Sequence, residues 1–262
     1  DSPVILWTLQ DVQARNLLYV VVSDGRGGFA NGQLTVTTGP AVALFSGRVT
    51  EAGAAPPVPV AGAAVTVGGQ AAVTDDQGNF ELSAPMAERL VLNVRKPGYV
   101  ILSRVFQSSG TALDLELDRA LRTVIPPAQG EVLLEDSRGT TVRLNSNQLV
   151  DAAGLPPMGP VNLDLHTFDL SRPNALPGDY SGRSLAGEYV TMVSFGCMSL
   201  DIGDDAGNRY NLAPGTTAQI SIRVDPERLP TAPATIPLFR FDETTGSWQE
   251  EGQAALVGDH YE

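Results

Sequence analysis

The sequence predicts an all-β chain built of tandem β-sandwich modules. Period-two alternation of apolar and polar residues recurs along its 262 residues, whereas the 3.6-residue period of an amphipathic helix is absent from every long window. The 27 glycines and 19 prolines are scattered without a repeat, which fits many short strands joined by turns and excludes collagen. Polar turn clusters such as Asp75-Asp76-Gln77-Gly78-Asn79 separate the alternating runs.

Charge narrows the partners. The net charge is −13 and Lys96 is the sole lysine, so the clustered cations that a phosphate backbone needs are missing and nucleic-acid binding is excluded. An anionic membrane surface would repel the chain, and no run is long and apolar enough to insert into a bilayer. Cys197 stands alone, so no internal disulfide can form and the cores must hold the fold. No secretory leader opens the sequence, and Asp1 falls inside a module. The expectation is a mature or excised piece of a longer extracellular or cell-surface protein.

Residues 1–39 read as the closing strands of a module. Residues 4–9 are a short apolar run with Trp7, and residues 17–22 are apolar on both faces, as in a central or covered strand. A turn at residues 23–28 leads to a returning strand with Leu34 and Val36. This stretch resembles the end of bacterial immunoglobulin-like or cadherin-like repeats, although Asn16 stands where an aromatic residue often opens the penultimate strand. Three strands cannot cover a two-sided strand, so upstream sequence or a neighbouring subunit in a fibre or surface array is expected to complete them.

Residues 41–120 form the middle module. Residues 44–50 are its first strand, and a Gly/Pro loop follows at 51–59. Residues 62–82 are the most legible stretch: Ala63, Val65 and Val67 alternate, Gly68-Gly69 interrupts, Val73 resumes, and the turn at 75–79 leads to Phe80 and Leu82. The expected structure is a hairpin bent at residues 75–79. Leu90, Leu92 and Val94 alternate next, Lys96-Pro97-Gly98-Tyr99 makes a turn with an aromatic lid, and residues 100–106 continue as strand. Leu113, Leu115 and Leu117 face inward, with Asp114, Glu116 and Asp118 towards water. This pattern resembles the carboxypeptidase-regulatory-like module, a transthyretin-like β-sandwich, which implies fold and not activity.

Residues 121–262 form the third module. Strands are expected at 130–135, at Val142 and Leu144 running on through 147–153, and at Val161, Leu163 and Leu165 with Asn162, Asp164 and His166 outward. Met198, Leu200 and Ile202 precede an acidic turn at 203–208, Ile220, Ile222 and Val224 alternate, and residues 236–248 read as a final aromatic hairpin. The segment resembles a region of the cartilage intermediate layer protein and FAM171 families, and more distantly the ZU5 sandwich. Some ZU5 relatives cleave themselves at a His-Phe-Ser motif, which this sequence lacks. The architecture is thus expected to be tandem Ig-like and transthyretin-like sandwiches.

No catalytic set can be assembled. His166 and His260 lie in no zinc-binding pattern, and His166 reads as a solvated surface residue. Ser181, within Gly178-Asp179-Tyr180-Ser181-Gly182, only loosely resembles a nucleophile elbow and reads as loop. Cys197 sits among apolar neighbours as an inert buried thiol. Asp201, Asp204, Asp205 and Asn208 are calcium candidates by residue type, but their order departs from the calcium-loop pattern and a polar turn is the plainer explanation. Asp75, Asp76 and Asn79 read the same way. No cofactor is implied. Trp7, Tyr99 and Trp248 are the candidates for a glycan-stacking platform, against core or interdomain packing. The expected role is non-catalytic, structural or adhesive, with other β-modules or neighbouring subunits as partners. The alternatives are an accessory domain of a larger secreted enzyme or transporter, and a carbohydrate-binding module.

Overall fold

A computed structural model describes the backbone of residues 15–23 and 29–37 and all of residues 41–262. The strands are β1 (Arg15–Ser23), β2 (Phe29–Thr37), β3 (Val42–Glu51), β4 (Ala64–Val67), β5 (Gln70–Val73), β6 (Asn79–Pro85), β7 (Leu90–Arg95), β8 (Leu102–Phe106), β9 (Gly110–Leu117), β10 (Leu121–Ile125) and β11 (Glu131–Glu135). They continue with β12 (Thr141–Asn145), β13 (Leu149–Val150), β14 (Val161–Thr167), β15 (Ser181–Arg183), β16 (Tyr189–Thr191), β17 (Met198–Gly203), β18 (Asn211–Leu212), β19 (Gln219–Arg223), β20 (Thr235–Asp242), β21 (Ser247–Val257) and β22 (His260–Tyr261). Two short 3-10 turns are the helical elements among the described residues, and neither is long enough to cross a membrane. The all-β sandwich expectation holds.

β1 and β2 pair antiparallel as a ribbon. Trp7 and the turn at 24–28 lie outside the described residues.

The smaller sandwich apposes two sheets, in the orders β6-β3-β9 and β5-β4-β7-β8. Phe45, Val49, Phe80, Leu82, Leu115 and Leu117 come from the first, and Val65, Val67, Leu90, Leu92, Val94 and Leu102 from the second. Together they make one core, as alternating inward residues of two facing sheets must. Each such fully buried aliphatic side chain contributes about 1.5–3 kcal/mol relative to exposure.

The expected hairpin is corrected here. Gly68 and Gly69, both at positive φ, form the turn of a β4–β5 hairpin instead of interrupting a strand. The turn at residues 75–79 does not close a hairpin: it carries the chain from one sheet to the other, because β6 pairs with β3. Gly78 is required there, since a Cβ would lie 2.3 Å from the carbonyl oxygen of Val49.

The larger sandwich faces β10-β14-β17 against a long sheet in the order β11-β12-β19-β22-β21-β15-β16, with β20 on β21. Val132, Leu134, Val142 and Leu144 meet Ile125, Leu163, Leu165 and Ile202 across the core. The expected strand through 147–153 is broken. A 3-10 turn at Ser146–Gln148, capped by Asn145, redirects the chain so that β13 pairs with β18 in a separate ribbon.

Candidate functional site

The most elaborated polar region lies where the two sandwiches meet. On β7, Leu90, Leu92 and Val94 point into the small core, so Val91, Asn93 and Arg95 point out. They are half-buried because the 242–246 turn between β20 and β21 rests on them. A Cβ on Gly246 would sit 2.8 Å from Val105 Cγ2 and 2.9 Å from Val91 Cγ2, so only glycine permits this approach. Asn93 Nδ2 donates to the Glu243 carbonyl at 3.0 Å.

Arginines of the small sandwich bind the large one. Arg89 donates to the carbonyls of Thr245 and Gly246, both at 2.7 Å, and to both Asp179 carboxylate oxygens at 2.8 and 3.1 Å. Arg95 reaches Glu243 at 2.6 Å and Asp201 at 3.2 Å, and Asp201 also accepts from Arg209 at 2.7 Å. Arg104 Nη2 donates to the Asn174 carbonyl at 2.9 Å, and burial lowers its pKa. The planar five-donor fork of arginine suits such shared, bidentate contacts better than an ammonium would. The Arg89 guanidinium, with the Ser181 hydroxyl and amide, holds the Asp179 carboxyl down at about 2.

Further along, the turn ending the small sandwich lies on the polar face of β14. The Gly98 amide donates to Asp164 Oδ2 at 3.1 Å, and Arg122 grips both oxygens of that carboxylate. Asn162 and Asp164 are only 6% exposed each, so the face expected to meet water is covered. Val100 of the small sandwich enters an apolar cluster with Phe168, Leu176, Cys197 and Trp248. Arg172 Nη1 donates to Asp118 at 2.6 Å across the rim. A cleft of about 240 Å³ opens here, lined by Arg104, Asp114, Glu116, Asp118 and Arg172 among others. Its charges alternate in sign and Arg104, Asp118 and Arg172 are bonded within the protein, so the cleft presents no convergent set for one ligand.

The residues singled out by sequence fall elsewhere or into structural roles. Asp204 accepts from the amides of Ala206 and Asn208, from Asn208 Nδ2 and from the Tyr210 hydroxyl. Asp205 accepts from Asn162 Nδ2 at 2.8 Å, and Asp201 faces the two arginines. Asp201, Asp204 and Asp205 therefore each accept from protein donors, and the Asn208 side chain is itself one of the donors to Asp204. Asp75 repeats the Asp204 arrangement, accepting from the Gln77 and Asn79 amides and Asn79 Nδ2.

His166 is corrected from solvated to half-buried. It stands edge-on to Phe168 with ring centroids 5.2 Å apart, and desolvation lowers its pKa. His260 Nε2 lies 3.0 Å from the Gly139 carbonyl, and its other nitrogen 2.7 Å from Asp259. Ser181 opens strand β15, and its hydroxyl donates to Asp179, with no histidine beside it. Cys197 is buried, which pushes its thiol up to about 12. Trp248 is buried in the seam cluster, and its Nε1 donates to the Pro177 carbonyl at 3.2 Å. Tyr99 lies under Arg119, whose guanidinium carbon is 5.0 Å from the ring centroid, and donates to Glu51. Neither Tyr99 nor Trp248 thus offers a free ring face as an exposed platform. Sequence reasoning missed the seam arginines, because their partners lie some 70 to 160 positions away and leave no local signal.

No family model matches this chain. Cartilage intermediate layer protein 2 from Mus musculus is 31% identical to it over an alignment 209 positions long, which covers 68% of this chain and 17% of that protein. The chain therefore spans well under a fifth of that relative's length. Two crystal structures of the shaft pilin SpaA from Lactobacillus rhamnosus GG, a double and a single mutant, align over 82% of this chain at 10% identity with a TM-score of 0.22. At that score the likeness carries no structural argument.

Proposed function

We propose that this chain is a non-catalytic structural segment of an extracellular or cell-surface multidomain protein, with modules at 1–39, 41–120 and 121–262. Its two complete sandwiches are joined into one stiff double unit. The observation that carries this is the seam: Arg89, Arg95 and Arg104 bridge the sandwiches while Gly246 packs between Val91 and Val105. Such an investment in fixing two domains relative to each other serves a part that transmits position or load. The mouse relative is named for a layer of cartilage, which supports an extracellular setting. Partners are then further β-modules of the same protein or neighbouring subunits.

Three measurements on the purified chain test the proposal. Small-angle scattering is expected to fit one rigid particle. Esterase, peptidase and glycosidase substrates are expected to remain uncleaved, and a glycan array to show no saturable binding. Turnover of any substrate, abolished by Ser181→Ala or Cys197→Ala, would overturn the non-catalytic role. Saturable glycan binding would replace it with carbohydrate recognition.

A further inference from the structure

The smaller sandwich begins with β3 and ends with β9, and these two strands lie side by side and parallel. Their register runs from Phe45 opposite Gly110 to Glu51 opposite Leu117, with an irregularity between Phe45 and Gly47. The chain therefore enters at one end of the pair and leaves at the other. Tension along the chain pulls β3 and β9 in opposite senses along their own length. All the ladder bonds between them are then loaded together, in shear. The β3–β6 pair is antiparallel, with Val42 opposite Pro85, and pulled at that end it would open one bond at a time.

Both ends of the parallel pair are fastened further. At the entry end the Leu44 amide donates to Ser109 Oγ at 2.9 Å, just before β9 begins. At the exit end the Ala52 amide donates to the Leu117 carbonyl at 2.9 Å. Arg119, two residues beyond β9, grips both carboxylate oxygens of Glu51 at 2.6 and 2.7 Å, with Tyr99 beneath the guanidinium. The two strands also approach unusually closely: a Cβ on Gly47 would lie 2.2 Å from the Leu113 carbonyl oxygen.

We infer that the β3–β9 pair is a mechanical clamp, so that the small sandwich resists tension carried along the chain. This goes beyond the structural role proposed above and rests on it. Forced unfolding is governed by the rate of crossing the unfolding barrier, so geometry matters here separately from equilibrium stability.

Single-molecule force spectroscopy on the whole chain tests it. One variant carries Ala41→Cys and Glu116→Cys as attachment points, which loads β3 and β9 in shear. A second carries Ala41→Cys and Met86→Cys, which opens β3 from β6, since the Met86 amide donates to the Ala41 carbonyl at 3.0 Å. The buried Cys197 does not compete for the handles. At equal loading rate the first pair is expected to rupture at several-fold higher force. Equal or lower force for the first pair would overturn the clamp. Adding Ser109→Ala, which removes the acceptor of the Leu44 amide between the two handles, is expected to lower the shear force and leave the opening force unchanged; lowering both alike would overturn the fastening assigned to the entry end. None of these outcomes depends on the substrate and glycan screens, so a failure of the clamp is distinguishable from a failure of the structural role.

Discussion

Arg122 and Asp164 face each other across the β10–β14 ladder, joined by hydrogen bonds of 2.8 and 2.7 Å, and the same carboxylate accepts the Gly98 amide from the other sandwich. One carboxylate thus satisfies donors from both domains. Asp164 is 6% exposed, so its charge is stabilised by these partners rather than by water. Replacing Asp164→Ala strands the guanidinium and the amide. Denaturant titration is expected to show a loss of about 3 kcal/mol, the scale for breaking a buried pair on one side. A loss under about 0.5 kcal/mol, the scale of an unremarkable surface change, would show that the contact is dispensable.

Gly246 is at φ +67 and is pressed against Val91 and Val105. Gly246→Ala adds both left-handed strain and a clash across the seam. The strain alone costs about 1–3 kcal/mol. Its specific expected signature is faster amide exchange in β7 and in the 242–246 turn, with β11 and β12 unaffected. Uniform change across the protein would point to general destabilisation.

Acid sensitivity follows from the depressed carboxylates. The Ser171 hydroxyl and then Arg138 hold the Asp169 carboxyl at about 2, and Arg89 first of all does the same for Asp179. A carboxyl lowered on folding stabilises fully above its ordinary value of 3.8, and that contribution is lost as pH falls towards 2. Stability is therefore expected to drop between about pH 4 and 2. Asp179→Asn should flatten part of that slope, and an unchanged slope would contradict the Arg89 pairing. The Asp179 share is reduced by its exposure to solvent.

His166 acts at higher pH. Burial lowers its folded pKa below the ordinary 6.5, so the unfolded chain takes up the proton first. Its contribution is present above pH 6.5 and is lost as pH falls through the lowered folded value. His166→Gln is expected to remove that part of the pH dependence. A solvated histidine would leave the profile unmoved.

The sandwich class was legible because it rests on local signals. Alternation set the inward faces of β7 and of the β9 end at Leu115 and Leu117, and the Asp-x-x-Gly segments expected as turns at Asp75 and Asp204 are turns; the same segment makes turns at Asp136 and at Asp151, where strand was expected. In each, the aspartate carboxylate accepts two amides and the glycine has positive φ. Sheet assignment was not legible at residues 75–79, since a turn looks alike whether its strands pair or separate into two layers. Nor was the seam. Asn162, Asp164 and His166 alternate like a water-facing row, yet Gly98 and Arg122 engage Asp164, Asn162 donates to Asp205, and His166 packs against Phe168. Polar residues satisfied across a domain boundary carry the same sequence signature as solvated ones.

Native-state hydrogen exchange tests the double unit most directly. Leu92 and Val94 lie in the core of the small sandwich, and Leu163 and Leu165 in that of the large one. If the seam fuses the two, the slowest amides of β7 and β14 open with the same free energy and respond alike to denaturant. Arg89→Ala combined with Arg95→Ala should then split them, the small sandwich opening first. Amides of β7 that already open independently of β14 in the unaltered chain would contradict the single stiff unit.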